Sequence, residues 1–341
     1  MGSLRERIAA RCTVRGQATV PEQVLVTAGA AQGLRLAIAA VVTPGAPVLV
    51  EHPTWPPLLD AVRAAGGRPV ALPVEDGWDV DAAASLVRRT GATAAALMVD
   101  GQNPTGRLLT GAPRVALAQV LARAGVSVVV NETLADLDLR AHLGLPCTES
   151  APAFAGLTPP GSGEVISVGS ASKTFWGGLR VGWVRASTPT VRRLTLARVA
   201  EDLGGSVLEQ LTLVHLLDRA PEVIEERRAH LAAQCRGLQE LLAQHLPSWS
   251  APAPQAGLVL WCRLPAPIST AVASAARREG LIVTAGSRFA VGGGIETRLR
   301  LPFARPAEDL AGDVARLARA VADLGDFAAA PLEESEPAAV V

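Results

Sequence analysis

From Gln23 to Val130 one pattern recurs: a short apolar run, a turn rich in small or turn-forming residues, and then a segment with helical spacing. Strand-like runs fall at Gln23–Thr27, Val48–Val50, Arg68–Val74, Ala92–Val99 and Val126–Val130. Helical periodicity falls between them at Leu34–Val42, Asp60–Ala65, Val80–Arg89 and Leu109–Ala124. Alternation of this kind predicts an α/β fold. In such folds ligands bind where the strands end, so the turns after the strands are where chemistry is expected.

A later turn of the same kind carries the only lysine. Of the 32 basic residues, every one but Lys173 is arginine. A guanidinium stays protonated, whereas a lysine amine can lose its proton and condense with an aldehyde. Lys173 follows the apolar run Glu164–Ser170 and precedes Gly177, Gly178 and Gly182, which places it on a loop just past a strand. Ser170 and Ser172 flank it with hydroxyls, and Arg180 adds a fixed cation, a set suited to a phosphate dianion.

The segment SASKTFWGGLRVGW resembles the S-x-S-K-x-x-x-P-G-L-R-x-G-W signature of the pyridoxal 5'-phosphate (PLP) enzymes of aminotransferase class I/II, fold type I. The resemblance implies that Lys173 binds the cofactor aldehyde while Ser170, Ser172 and Arg180 hold its phosphate. Gly177 stands where the family has proline.

Four further segments extend the resemblance. The turn Gly29 to Gly33 opens a helix, where backbone amides and the helix dipole favour an anion. By its likeness to the family's TSGAQQAL segment, the amides of Ala30, Ala31 and Gln32 meet the phosphate. Trp55 lies in PTWPP, with Pro53, Pro56 and Pro57 expected to stop any helix, and matches the aromatic that stacks on the cofactor ring. No chemistry is assigned to His52. Asn103, in an N-P-T-G tetrapeptide, corresponds to the donor to the cofactor's 3'-oxygen. In RLRLPF the family places the substrate-carboxylate arginine at Arg300, with Arg298 on the same strand face.

One position departs from the family. After Val126–Val130 the pattern D-E-x-[YLF] has Asn131 where the first carboxylate should pair with the pyridinium nitrogen. An amide carries no charge to stabilise a protonated ring nitrogen. Glu132 is adjacent, but on a regular strand it points to the opposite face. The chain also lacks tyrosine.

Composition bounds the remainder. Formal net charge is zero, which gives no electrostatic case for nucleic acid. No window of about 18 uncharged apolar residues suggests a membrane span, and MGSLRERIAARC has no signal-like apolar core. Cys12, Cys147, Cys235 and Cys262 are scattered without metal-ligand or disulfide spacing. No metal site is expected, and the location is expected to be cytoplasmic.

The resemblance runs from about Gly16 to Pro306 and is strongest to the aminotransferase-type domain of the MocR subgroup of GntR proteins, whose helix-turn-helix and N-terminal arm are expected to be absent here. It implies a mostly parallel seven-stranded sheet flanked by helices, plus a smaller α+β C-terminal domain. The expected divisions are an N-terminal helix (1–15), a large PLP-binding domain (16–220), a small domain (221–326) and a disordered tail (327–341). Transamination of an amino acid or related amine is the default reaction. Elimination, replacement or carbon–carbon bond formation, or a non-catalytic amine sensor, are the alternatives. A homodimer is expected by analogy.

Overall fold

The computed structural model describes residues 2–147, 151–159 and 161–325; the expected tail (327–341) lies outside them. By internal packing the chain forms two units, Met1–His230 with Gln255–Gly257, and Leu231–Pro254 with the chain from Leu258 on.

The first unit begins with α1 (Gly2–Val14), which buries Leu4, Ile8 and Cys12 one helical turn apart. Its strands are β1 (Val24–Thr27), β2 (Pro47–His52), β3 (Arg68–Pro73), β4 (Ala94–Leu97), β5 (Ser127–Asn131), β6 (Val165–Ser170) and β7 (Gly182–Arg185). Its helices are α2 (Ala30–Val41), α3 (Pro56–Ala64), α4 (Val80–Thr90), α5 (Gly111–Arg123), the short α6 (Arg140–Leu143), α7 (Thr188–Val199) and α8 (Val207–Asp218). The division between units falls inside α9 (Ala220–His245).

The seven strands form one sheet in the order β1-β7-β6-β5-β4-β2-β3. β7 runs antiparallel to both β1 and β6, and every other pairing is parallel. The central strands are apolar on both faces: all residues of β1, β4, β5 and β6 are buried except Ser127, as expected where helices cover each side. α5 packs one face through Leu117, Ala118 and Leu121. α2 packs the other so closely that a Cβ on Gly33 would stand 3.0 Å from Val168 Cγ1 and 3.1 Å from Val184 Cγ2.

The second unit holds an antiparallel sheet, β8 (Val259–Arg263), β10 (Arg298–Pro302) and β9 (Thr284–Ala285), in that order, with α10 (Ser269–Arg278) and α11 (Ala307–Ala322).

Two local expectations are corrected. Pro56 and Pro57 start α3 instead of preventing a helix, because proline's missing N–H costs nothing in the first turn and its φ is already helical. The apolar run Leu281–Thr284 reads as a strand in the sequence, but only Thr284–Ala285 forms one; Ile282 is 78 % exposed, so its apolar character there reflects no burial.

Candidate active site

β1, β2, β4, β5 and β6 point the same way, so the turns that follow them share one edge of the sheet. Lys173 sits on the turn after β6, exposed, between residues that are pinned. The Ser170 hydroxyl accepts from the Ser172 N–H (3.1 Å) and donates to the Val181 carbonyl (3.4 Å). Thr174 donates to Asp136 Oδ2 (2.8 Å), and Asp136 is ion-paired with Arg11. The lysine is thus presented from a turn held on both sides. The Ser172 Oγ is buried and has no hydrogen-bond partner among the described residues, a state that burial makes costly unless a ligand supplies one.

A second group meets this turn from β1 and α2. Gly29, at φ +85°, is the N-cap of α2, and no side chain caps that helix. Its first-turn amides, those of Ala30, Ala31 and Gln32, therefore retain their donor capacity at the positive end of the helix dipole. The Gln32 side chain is engaged elsewhere: Oε1 accepts from the Ala28 N–H (2.8 Å) and Nε2 donates to Asp202 (2.7 Å). Arg180, itself in a left-handed backbone conformation at φ 51°, lays its guanidinium over the Gly29 turn and donates to the carbonyls of Gly177 (3.4 Å) and Ala28 (3.5 Å). A Cβ on Gly29 would stand 2.6 Å from Arg180 Nη2, and one on Gly182 would stand 2.5 Å from the Gly29 carbonyl carbon. Glycine at both positions lets a cation, a helix N-terminus and a serine-bearing turn close on one spot. An orphaned buried hydroxyl, an uncapped helix and a guanidinium together fit a phosphate-bearing group.

The other sequence-derived candidates reach the same edge. Trp55 is partly buried at the N-cap of α3, just beyond β2. Asn103 lies on the loop after β4, its N–H directed to Met98 Sδ at 3.2 Å. Gln102 joins these two loops: it is 1 % exposed, donates to the Pro53 carbonyl (2.7 Å), and accepts from the Thr105 N–H (3.0 Å) and hydroxyl (2.8 Å). Below it, Glu51 accepts from Trp78 Nε1 and from the Met98 N–H, both at 2.9 Å. Burial pushes its carboxyl up to about 7. Neither Gln102 nor Glu51 was expected from the sequence. A carboxylate inside the apolar run PVLVEH was the available signal for the second.

Asn131 ends β5, 1 % exposed, and its Oδ1 accepts from the Thr133 N–H at 3.1 Å. It is in register with Val168, which faces α2, so Asn131 lies on the face covered by that helix. Glu132 turns to the opposite face as strand alternation requires. There it pairs with Arg15 (3.0 Å) and accepts from Ser167 (3.3 Å), and desolvation raises its pKa.

Arg300 belongs to the second unit. On β10, opposite Trp261 and Thr284, its guanidinium stacks 5.1 Å from the centre of the Phe289 ring, and burial lowers its pKa from the ordinary arginine value. Among the described residues no cluster of His, Cys, Asp or Glu could hold a metal ion.

The model of the aminotransferase class I and II family matches residues 2–317. The chain is similar to the 2-aminoadipate transaminase of Thermus thermophilus, 31 % identical over 89 % of this chain and 76 % of that protein. It is also 29 % identical, over 85 % of its length, to YdcR of Escherichia coli K12, an uncharacterized HTH-type transcriptional regulator of which the match covers 61 %. Among solved structures, LysN, the α-aminoadipate aminotransferase of Thermus thermophilus complexed with N-(5'-phosphopyridoxyl)-L-leucine, superposes with a TM-score of 0.84. That match is at 28 % identity and covers 95 % of this chain and 82 % of that one.

Proposed function

Given that the chain belongs to the aminotransferase class I and II family, we propose that it transfers the amino group of an α-amino acid, with Lys173 as catalytic residue and PLP as cofactor. The observation that carries this is the placement of the sole lysine on a pinned turn, beside the cradle formed by Ser172, Arg180 and the first turn of α2.

The cofactor, when bound, supplies an aldehyde that condenses with amines and a ring that draws electron density from the adjoining carbon. The rest of the chemistry belongs to the chain. Arg180, the Ser172 hydroxyl and the amides of Ala30, Ala31 and Gln32 would bind the phosphate, with Ser170 joining them once its proton turns from the Val181 carbonyl. Trp55 would offer an aromatic face to the ring, Asn103 would donate to its 3'-oxygen, and Asn131 would stand at the ring nitrogen. Lys173 Nζ would take the proton from the substrate Cα and return it elsewhere, as general base and then acid. The family resemblance assigns the substrate carboxylate to Arg300, whose stacking on Phe289 restrains the planar fork that such a contact needs.

A second reading is favoured by Asn131: a PLP-dependent elimination, replacement or carbon–carbon bond-forming reaction, each less dependent on a protonated ring. The similarity to HTH-type regulators motivates a third, an amine sensor without turnover. Incubating the PLP-loaded protein with a panel of amino acids and a keto-acid acceptor separates them. Keto acid formed from the donor supports transamination, other products support the second reading, and an absorbance change without product supports sensing.

The partner we propose is a second copy. Leu196, Val199, Leu203, Val207, Leu208 and Leu211, spread over α7, the following loop and α8, are all exposed, Leu203 at 97 % and Leu208 at 74 %. Apolar side chains grouped in this way are costly in water and mark an interaction face. No helix of the described residues is long and apolar enough to cross a membrane. The four cysteines are free, which suits a reducing, cytoplasmic location.

A further inference from the structure

The amide of Asn131 has its orientation decided by a neighbour. The Thr133 N–H points at the Asn131 side chain at 3.1 Å, and an N–H needs an acceptor, so the side-chain oxygen must face it. The Nδ2 group is left as a donor. Turning the amide over would set two donors against each other at Thr133 and strip a part-buried N–H of its acceptor.

Among the described residues, the carboxylates near the end of β5 are already engaged. Glu132, the next residue, faces the opposite side of the sheet and is held by Arg15 and Ser167. Asp136 is occupied by Arg11 and Thr174. Asp100 is paired with the fully buried Arg114 at 2.9 Å. These three anions are each committed to a cation or hydroxyl, and Asn131 lies on the α2 face.

We propose that this site holds its heteroaromatic ring with the ring nitrogen unprotonated, as the acceptor of a hydrogen bond from Asn131 Nδ2. The inference rests on the reading that PLP binds at Lys173. A ring nitrogen carrying a proton would present N–H to N–H. The pair would repel, and the equilibrium shifts to the neutral ring, since a hydrogen bond given to the neutral form favours that form. The consequence for chemistry is specific: electron density arriving at the substrate Cα is delocalised less deeply into the ring. Proton removal by Lys173 is then slower than it would be with a carboxylate at position 131.

The test is direct. The protein is loaded with PLP carrying 15N in the ring, and its nitrogen chemical shift is read at neutral pH. The native protein is expected at the position of an unprotonated pyridine, and Asn131→Asp at that of a pyridinium. In parallel, PLP methylated on the ring nitrogen, which carries a permanent positive charge, is expected to bind the native protein at least about ten-fold more weakly than Asn131→Asp, the worth of one well-placed hydrogen bond. These two side chains are nearly the same size, so the comparison cancels the bulk of the methyl group. A pyridinium shift in the native protein overturns the inference, and that result needs no folded variant. Equal affinity of the two proteins for the methylated cofactor also overturns it. If PLP fails to attach to Lys173 at all, the underlying reading falls with it, whereas attachment with a protonated nitrogen defeats this inference alone.

Discussion

Arg180 and Gly29 are fitted to each other: the guanidinium occupies the space a side chain on Gly29 would need, its Nη2 2.6 Å from where a Cβ would be. Gly29→Ala must therefore displace the arginine and place a Cβ at φ +85°, at a conformational cost of about 1–2 kcal/mol. PLP affinity about ten-fold weaker is expected, from loss of a charge-assisted contact, measured by titration of the apoprotein. Unchanged affinity would show that Arg180 does not hold the phosphate.

Glu51 makes stability depend on pH. Its carboxyl, raised by burial to about 7 from an ordinary 4.5, holds its proton more tightly in the folded state. Its contribution is complete below the unfolded value and is lost as pH rises through about 7. Glu132, also raised by burial, acts in the same direction. The melting temperature should fall between about pH 5 and pH 8, and Glu51→Gln should flatten that fall. Glu51→Leu, which leaves the Trp78 and Met98 N–H groups without their acceptor, should cost about 1–3 kcal/mol for each. Parallel pH curves for the native protein and Glu51→Gln would rule out this assignment.

Gln102 ties the loop bearing Trp55 to the loop bearing Asn103. Gln102→Ala removes one donor and one doubly used acceptor, and a loss of about 2 kcal/mol in stability is expected. The circular dichroism of the bound cofactor should weaken as well, because both ring contacts loosen. A drop in stability with an unaltered cofactor signal would confine Gln102 to a structural part.

Leu208→Asp and Leu203→Asp place a charge in the exposed apolar face of α8 and the loop before it. If that face joins two copies, light scattering should show a shift from dimer to monomer, with the melting temperature now independent of dimer formation. A native protein that is monomeric at all concentrations would contradict the proposed interface.

Much of the fold was legible because its signals are local. The apolar runs that became β1, β2, β4, β5 and β6 end in turns whose Gly, Asn and Ser residues are visible without a structure. Strand alternation alone assigned Glu132 to the face away from Asn131, and the two residues are so arranged. Errors arose where one residue type serves two purposes. Pro56 and Pro57 read as stops in the sequence, yet proline also opens helices. Gln102 and Glu51 escaped notice for a different reason: each acts through partners 47 or 49 residues away, and no short-range pattern records such a contact. The docking of Arg180 on Gly29, 151 residues apart in the chain, is of the same kind.

Reductive trapping tests the central claim most directly. Because Lys173 is the only lysine, borohydride treatment of the PLP-loaded protein, followed by peptide mass spectrometry, should find the pyridoxyl group on its Nζ, and Lys173→Ala should leave the chain unlabelled. A native protein whose Lys173 peptide emerges unmodified after loading and reduction would contradict the account.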